Sequence, residues 1–149
     1  MFLRLRSSKG FTILELLIVI AVIAILVGIA LPRFKGMKDE GSIAKAKGEL
    51  RTLQTAVESY YIHNSNTYPA NIAAALTGAT PQIIAVAPTD PFGGAAYGYL
   101  LASPYYIIWS KGPAGDGVAS VTTAGVASET TDGASCIYVT NGSPADTTP

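Results

Sequence analysis

Cysteine is nearly absent from this chain. Cys136 stands alone among 149 residues, so no internal disulfide can form and no multi-cysteine metal site can be built. It reads as a small half-buried strand residue, with pairing between chains as the alternative. Histidine is equally scarce: His63 is the only one, it falls near the expected end of a helix, and no Ser/His/Asp or Cys/His set accompanies it. No stretch has CxxC, HExxH or GxxxxGK(S/T) spacing, which removes the common metal and phosphate-loop chemistries. Charge is thin at 13 per cent of residues, with ten Lys and Arg against ten Asp and Glu, and nothing suggests the basic patch a nucleic-acid surface needs. These absences argue against an enzyme and against a nucleic-acid binder, and no catalytic residue is assigned.

What the chain has is one long apolar run. Phe11 to Leu31 is 21 residues, interrupted only by Thr12, Glu15 and Gly28. As a helix it would span about 31 Å, the thickness of a bilayer core. Within such a segment a carboxylate costs about 2.5–3.5 kcal/mol near the centre and less near an end, so Glu15 should have a partner. An anchor with an incidental Glu is one reading. A secretory signal is another, with Arg4, Arg6 and Lys9 as its basic region and Gly28-Ile29-Ala30 as a small-x-small cleavage site, which would release a secreted binding domain after Ala30. Against the latter, signal peptides have a shorter apolar region, about 7–15 residues, and no early carboxylate.

A basic leader ending in Gly10, followed by Phe11-Thr12 and by Glu15 at the fifth position after the glycine, resembles the class III signal of type IV pilins and pseudopilins. The resemblance implies that a prepilin peptidase cuts between Gly10 and Phe11 on the cytoplasmic side and N-methylates Phe11. The ammonium so created on Phe11 would be neutralised by Glu15 of a neighbouring subunit in the filament, favouring one axial register. Arg4, Arg6 and Lys9 keep the N-terminus cytoplasmic, and without them seven basic residues face ten acidic ones.

Further along, Pro32 follows the apolar run closely, as in many pilin-like chains, and with Gly28 marks a kink or local break where the helix bends or melts on assembly. Arg33, Lys35 and Lys38 suit the membrane–water boundary at the outer end of that span. Ile43, Ala46, Leu50, Leu53, Val57 and Tyr60 then recur at steps of three and four, an amphipathic helix, with Lys45, Lys47, Glu49, Arg51 and Glu58 read as its solvated face. Gly36, Gly41 and Gly48 weaken that helix or let neighbouring stalks approach. The turn formers from Asn64 to Pro69 end it, and a short helix is expected about Asn71–Leu76. Strands are expected at 97–101, 105–109 and 136–140. His63 is read as a surface residue at a helix terminus.

Two loops narrow the resemblance. Asp90-Pro91-Phe92-Gly93 followed by Tyr97 is similar to the Asp-Pro-Trp-Gly loop of major pseudopilins of type II secretion, with Phe92 in place of Trp, and Asp90 reads as a turn cap. Ser110 to Gly117 resembles the Gly-Pro turn after the corresponding pseudopilin strand, and in that family a nearby acidic loop commonly binds calcium. Asp116, Glu129 and Asp132 are the candidate ligands here, a thinner acidic set than the six to eight oxygens usually need. The other reading of Val118–Ser135 is a polar, mobile loop, and the tail Ser143–Pro149 is expected to fray.

The expected fold is therefore α+β, a long N-terminal helix packed on a small antiparallel β-sheet head. Its segments are a leader (1–10), a membrane helix (11–31), an amphipathic stalk (32–64) and a head (65–149). The resemblance implies a major pseudopilin of a type II secretion system. Such a subunit is anchored in the inner membrane with its head periplasmic, and it assembles into a periplasmic pseudopilus that drives exoprotein export. The implied partners are further copies of itself, prepilin peptidase, minor pseudopilins and the inner-membrane assembly platform. The alternative is a type IV pilin whose surface filament serves adhesion, motility or DNA uptake. No cofactor is expected beyond a structural calcium ion.

Overall fold

The computed structural model describes residues 10–129 and 136–144. Helix α1, Ile13–His63, is followed by α2, Ile72–Gly78. The strands are β1 Gly98–Ala102, β2 Tyr105–Ser110, β3 Ala119–Val121, β4 Val126–Glu129, β5 Ile137–Thr140 and β6 Ser143–Pro144. The chain divides into two compact units, Met1–Lys38 and Asp39–Pro149.

In the first unit α1 presents Leu14, Leu17, Ile18, Ile25 and Leu31 exposed, with no covering partner among the described residues. Length and composition make this helix able to cross a membrane. The local break expected at Pro32 is absent, because α1 runs through that residue without interruption. Pro32 has no N–H for the carbonyl four residues back, and its ring crowds that carbonyl. The residue there is Gly28, which has the backbone freedom to tilt its carbonyl aside.

The second unit is layered on β2. Leu50, Leu53 and Val57 of α1 pack with Ile72 and Leu76 of α2 and with Tyr106 and Ile108 of β2. The intervening Ile107 faces the other way, toward Ala119, Val121 and Ala127, with Tyr105 and Trp109 alongside. Both faces of β2 are covered, which is why its sequence is almost continuously apolar rather than alternating. One sheet has the order β1-β2-β5, all antiparallel, with Leu100 opposite Ile107 and Ile108 opposite Val139. The other has the order β3-β4-β6, antiparallel between β3 and β4 and parallel between β4 and β6.

Asn71 caps α2 by accepting from the Ala74 N–H at 3.2 Å, so that helix begins one residue after the expected start and ends two residues later. The reading of Val118–Ser135 as a polar, mobile loop is corrected over residues 119–129 by β3 and β4, and residues 130–135 lie outside the described residues. Their inward positions are only Ala119, Val121 and Ala127, while Ser120 and Ser128 bond to each other on the exposed side. That alternation is real but too short and too small-residued to stand out. Gly125 closes the hairpin at φ +82° directly beneath the Tyr105 ring. Ser143 and Pro144 pair with β4 rather than fraying, while the rest of the tail, and the leader charges Arg4, Arg6 and Lys9, lie outside the described residues.

Candidate functional site

The predicted processing site lies just before α1. Gly10, Phe11 and Thr12 precede its first residue, and Phe11 is 86 % exposed. Thr12 and Glu15 then form a capping box. The Thr12 N–H donates to Glu15 Oε2 at 3.1 Å, and the Thr12 hydroxyl donates to the same oxygen at 3.0 Å. In return the Glu15 N–H donates to the Thr12 hydroxyl oxygen at 3.2 Å. The first orphan donors of the helix are thereby met by the chain itself. With Phe11, Leu16, Ile18 and Val19, Glu15 also lines an open, largely apolar groove. Among the described residues no cation pairs with it; the one ion pair there is Lys45 with Glu49.

In the second unit Asp90 is buried and fully engaged. It accepts from the Phe92 N–H at 3.1 Å, the Ser110 hydroxyl at 2.8 Å and the Lys111 N–H at 2.7 Å. The Asp-Pro-Phe-Gly turn is thus tied to the end of β2, in keeping with the reading of Asp90 as a cap. His63 is exposed, with Nδ1 on the Ser59 carbonyl at 2.8 Å.

The expected calcium ligands are only partly visible. Asp116 is exposed and Glu129 half-buried at the end of β4, while Asp132 lies outside the described residues. Among the described residues no three His, Cys, Asp or Glu side chains gather.

Glu49 and Glu58, read from sequence as solvated, are corrected by the structure. Both are half-buried acceptors. The Tyr97 hydroxyl donates to Glu49 Oε2 at 2.6 Å, and the Tyr106 hydroxyl donates to Glu58 Oε1 at 2.6 Å. Tyr68 donates to Glu58 Oε2 at 3.2 Å and accepts from Asn141 Nδ2 at 3.2 Å. Burial first, then the neighbouring carboxylate, holds the Tyr97 and Tyr106 hydroxyls well above their ordinary pKa. The sequence signal was available: both carboxylates border the apolar stripe, and tyrosines are frequent in the strands. Cys136 is half-buried with its Sγ at 3.5 Å from the Ser110 carbonyl. Burial, followed by Glu129 and Asp90, pushes its thiol up to about 12.

Comparison with known proteins adds to this geometry. The family profile described as the prokaryotic N-terminal methylation motif matches residues 5–31. A protein of Klebsiella michiganensis named type II secretion system core protein G is 32 % identical over 115 residues, covering 68 % of this chain and 78 % of its own length. The protein of the same name from Escherichia coli K12 is 27 % identical over 126 residues, covering 74 % and 85 %. A fimbrial protein of Pseudomonas aeruginosa is 40 % identical, but over 55 residues and 37 % of this chain. No solved structure matches.

Proposed function

The chain belongs to the type II secretion system core protein G family, and from that premise we propose that it is built into a periplasmic pseudopilus whose growth drives folded proteins out of the cell. Family membership makes it a structural filament subunit, the major pseudopilin. The observation that carries the choice is the extent of the likeness. A match covering 68 % of the chain must include more than the 63 residues up to the end of α1, whereas the fimbrial match covers 37 %.

The reading uses each feature of the N-terminal unit. Phe11–Leu31 stores the subunit in the inner membrane with its N-terminus cytoplasmic and residues 39–149 in the periplasm. A prepilin peptidase cuts at Gly10–Phe11 and methylates Phe11. In the filament the Phe11 ammonium of one copy meets Glu15 of the next, and Pro32 is the place where α1 yields during that transfer. The apolar surface is out of water before and after, so the exchange needs little net free energy. Minor pseudopilins and the inner-membrane platform are the partners this assembly requires. A calcium ion enters the proposal only through Asp116, Glu129 and Asp132, and no step depends on it. Melting curves with calcium and with chelator test it: a lower midpoint in chelator supports the ion, and coincident curves count against it.

The function is tested by deleting the gene in its host. Retention of exoproteins in the periplasm is expected, with surface fibres unaffected. Normal export together with lost surface fibres would overturn the reading in favour of a type IV pilin.

A further inference from the structure

We infer that Glu49 and Glu58 fix the axial position of the β-sheet layer on α1, so that a push along α1 reaches the rest of the folded unit without slip. Apolar contact alone does not fix that position. Ala46, Leu50, Leu53 and Val57 are buried at alternating steps of four and three. A displacement by one helical turn, about 5.4 Å, therefore puts one apolar side chain where another stood.

The carboxylates break this repeat. Tyr97 and Tyr106 are buried, and their hydroxyls lie 2.6 Å from Glu49 and Glu58. A shift of three or four residues in either direction would bring Lys45, Ala46, Thr52 or Leu53 to Tyr97, and Gln54, Thr55, Tyr61 or Ile62 to Tyr106. None of these carries a carboxylate. Two buried hydroxyls would lose their charged acceptors together, which is the costly kind of loss. Asn141 joins the end of β5 to the same anchor, since its Oδ1 accepts from the Tyr106 N–H at 2.7 Å and its Nδ2 donates to Tyr68. Buried polar pairs of this sort select one packing where apolar contact tolerates several.

The inference rests on the filament reading, because axial load is what such a subunit must transmit. The test reads register apart from export. In the full chain with Cys136→Ser, nitroxides on Arg51→Cys of α1 and Leu100→Cys of β1, both exposed, should report a single separation by pulsed EPR. Adding Glu49→Leu, Tyr97→Phe, Glu58→Leu and Tyr106→Phe should add a second population displaced by up to one helical turn, about 5.4 Å, while a melting transition persists. An unchanged single separation overturns the inference. If the fourfold replacement shows no transition, each Glu/Tyr pair is replaced alone and the same separation is read, with the same overturning result.

Export is measured in parallel with the carboxylate and tyrosine replacements in the natural cysteine background. A displaced population with normal export would remove the mechanical role. The filament reading itself stands or falls on the deletion strain, which carries none of these substitutions.

Discussion

Thr12 and Glu15 share three hydrogen bonds at the start of α1, and their contributions can be separated from leader processing. Thr12→Ala removes the cap and should cost about 1 kcal/mol at the helix start. Faster amide exchange at residues 13–16 in membrane mimetic would show this, with cleavage at Gly10–Phe11 unchanged. Glu15→Leu should leave insertion and cleavage intact yet stop assembly, and filaments formed normally from that variant alone would sink the Phe11–Glu15 pairing. Asp90 has the opposite character, since all its partners are internal. Asp90→Ala strands two backbone N–H groups and the Ser110 hydroxyl, at a cost of about 3 kcal/mol or more. Asp90→Asn keeps one carbonyl acceptor and should lose less, which a pair of denaturation curves would reveal.

Among the elements, the long helix and the β1–β2 pair were legible because their signals are strong: a three-four repeat, and aromatic and β-branched runs joined by a short turn. The β3–β4 hairpin was not. Its buried residues are two alanines and one valine, and their burial follows from Ile107 lying opposite, a tertiary fact. Gly125 is what lets that layer close. Gly125→Ala would place a Cβ 2.8 Å from the Tyr105 ring at a φ of +82°, so we expect a loss of about 2 kcal/mol with the α1–β2 side still folded. Exchange protection should then fall across β3 and β4 well before β2.

For the whole molecule, the N-terminal motif was readable because processing and insertion act on sequence before folding. Glu49 and Glu58 were misread because amphipathic periodicity separates charged from apolar residues without showing which charges the fold later covers. That covering has a pH signature. Tyr97 and Tyr106 have pKa values raised above the usual 10. The unfolded chain therefore releases these protons first, and stability is full below about pH 10 and declines above it as folded tyrosines resist ionisation. With Cys136→Ser in place, so that the raised thiol does not titrate first, melting midpoints should hold up to that pH and fall beyond it, and Tyr97→Phe should flatten the fall. The half-buried thiol of Cys136 bears on the proposed placement of residues 39–149 in the periplasm. An unpaired cysteine in an oxidising compartment usually invites mixed disulfides. With its pKa at about 12, almost none of it is thiolate at neutral pH. A filament of many copies thus carries one thiol per subunit that disulfide-forming enzymes and alkylating reagents find slowly, and iodoacetamide should label it readily only after denaturation.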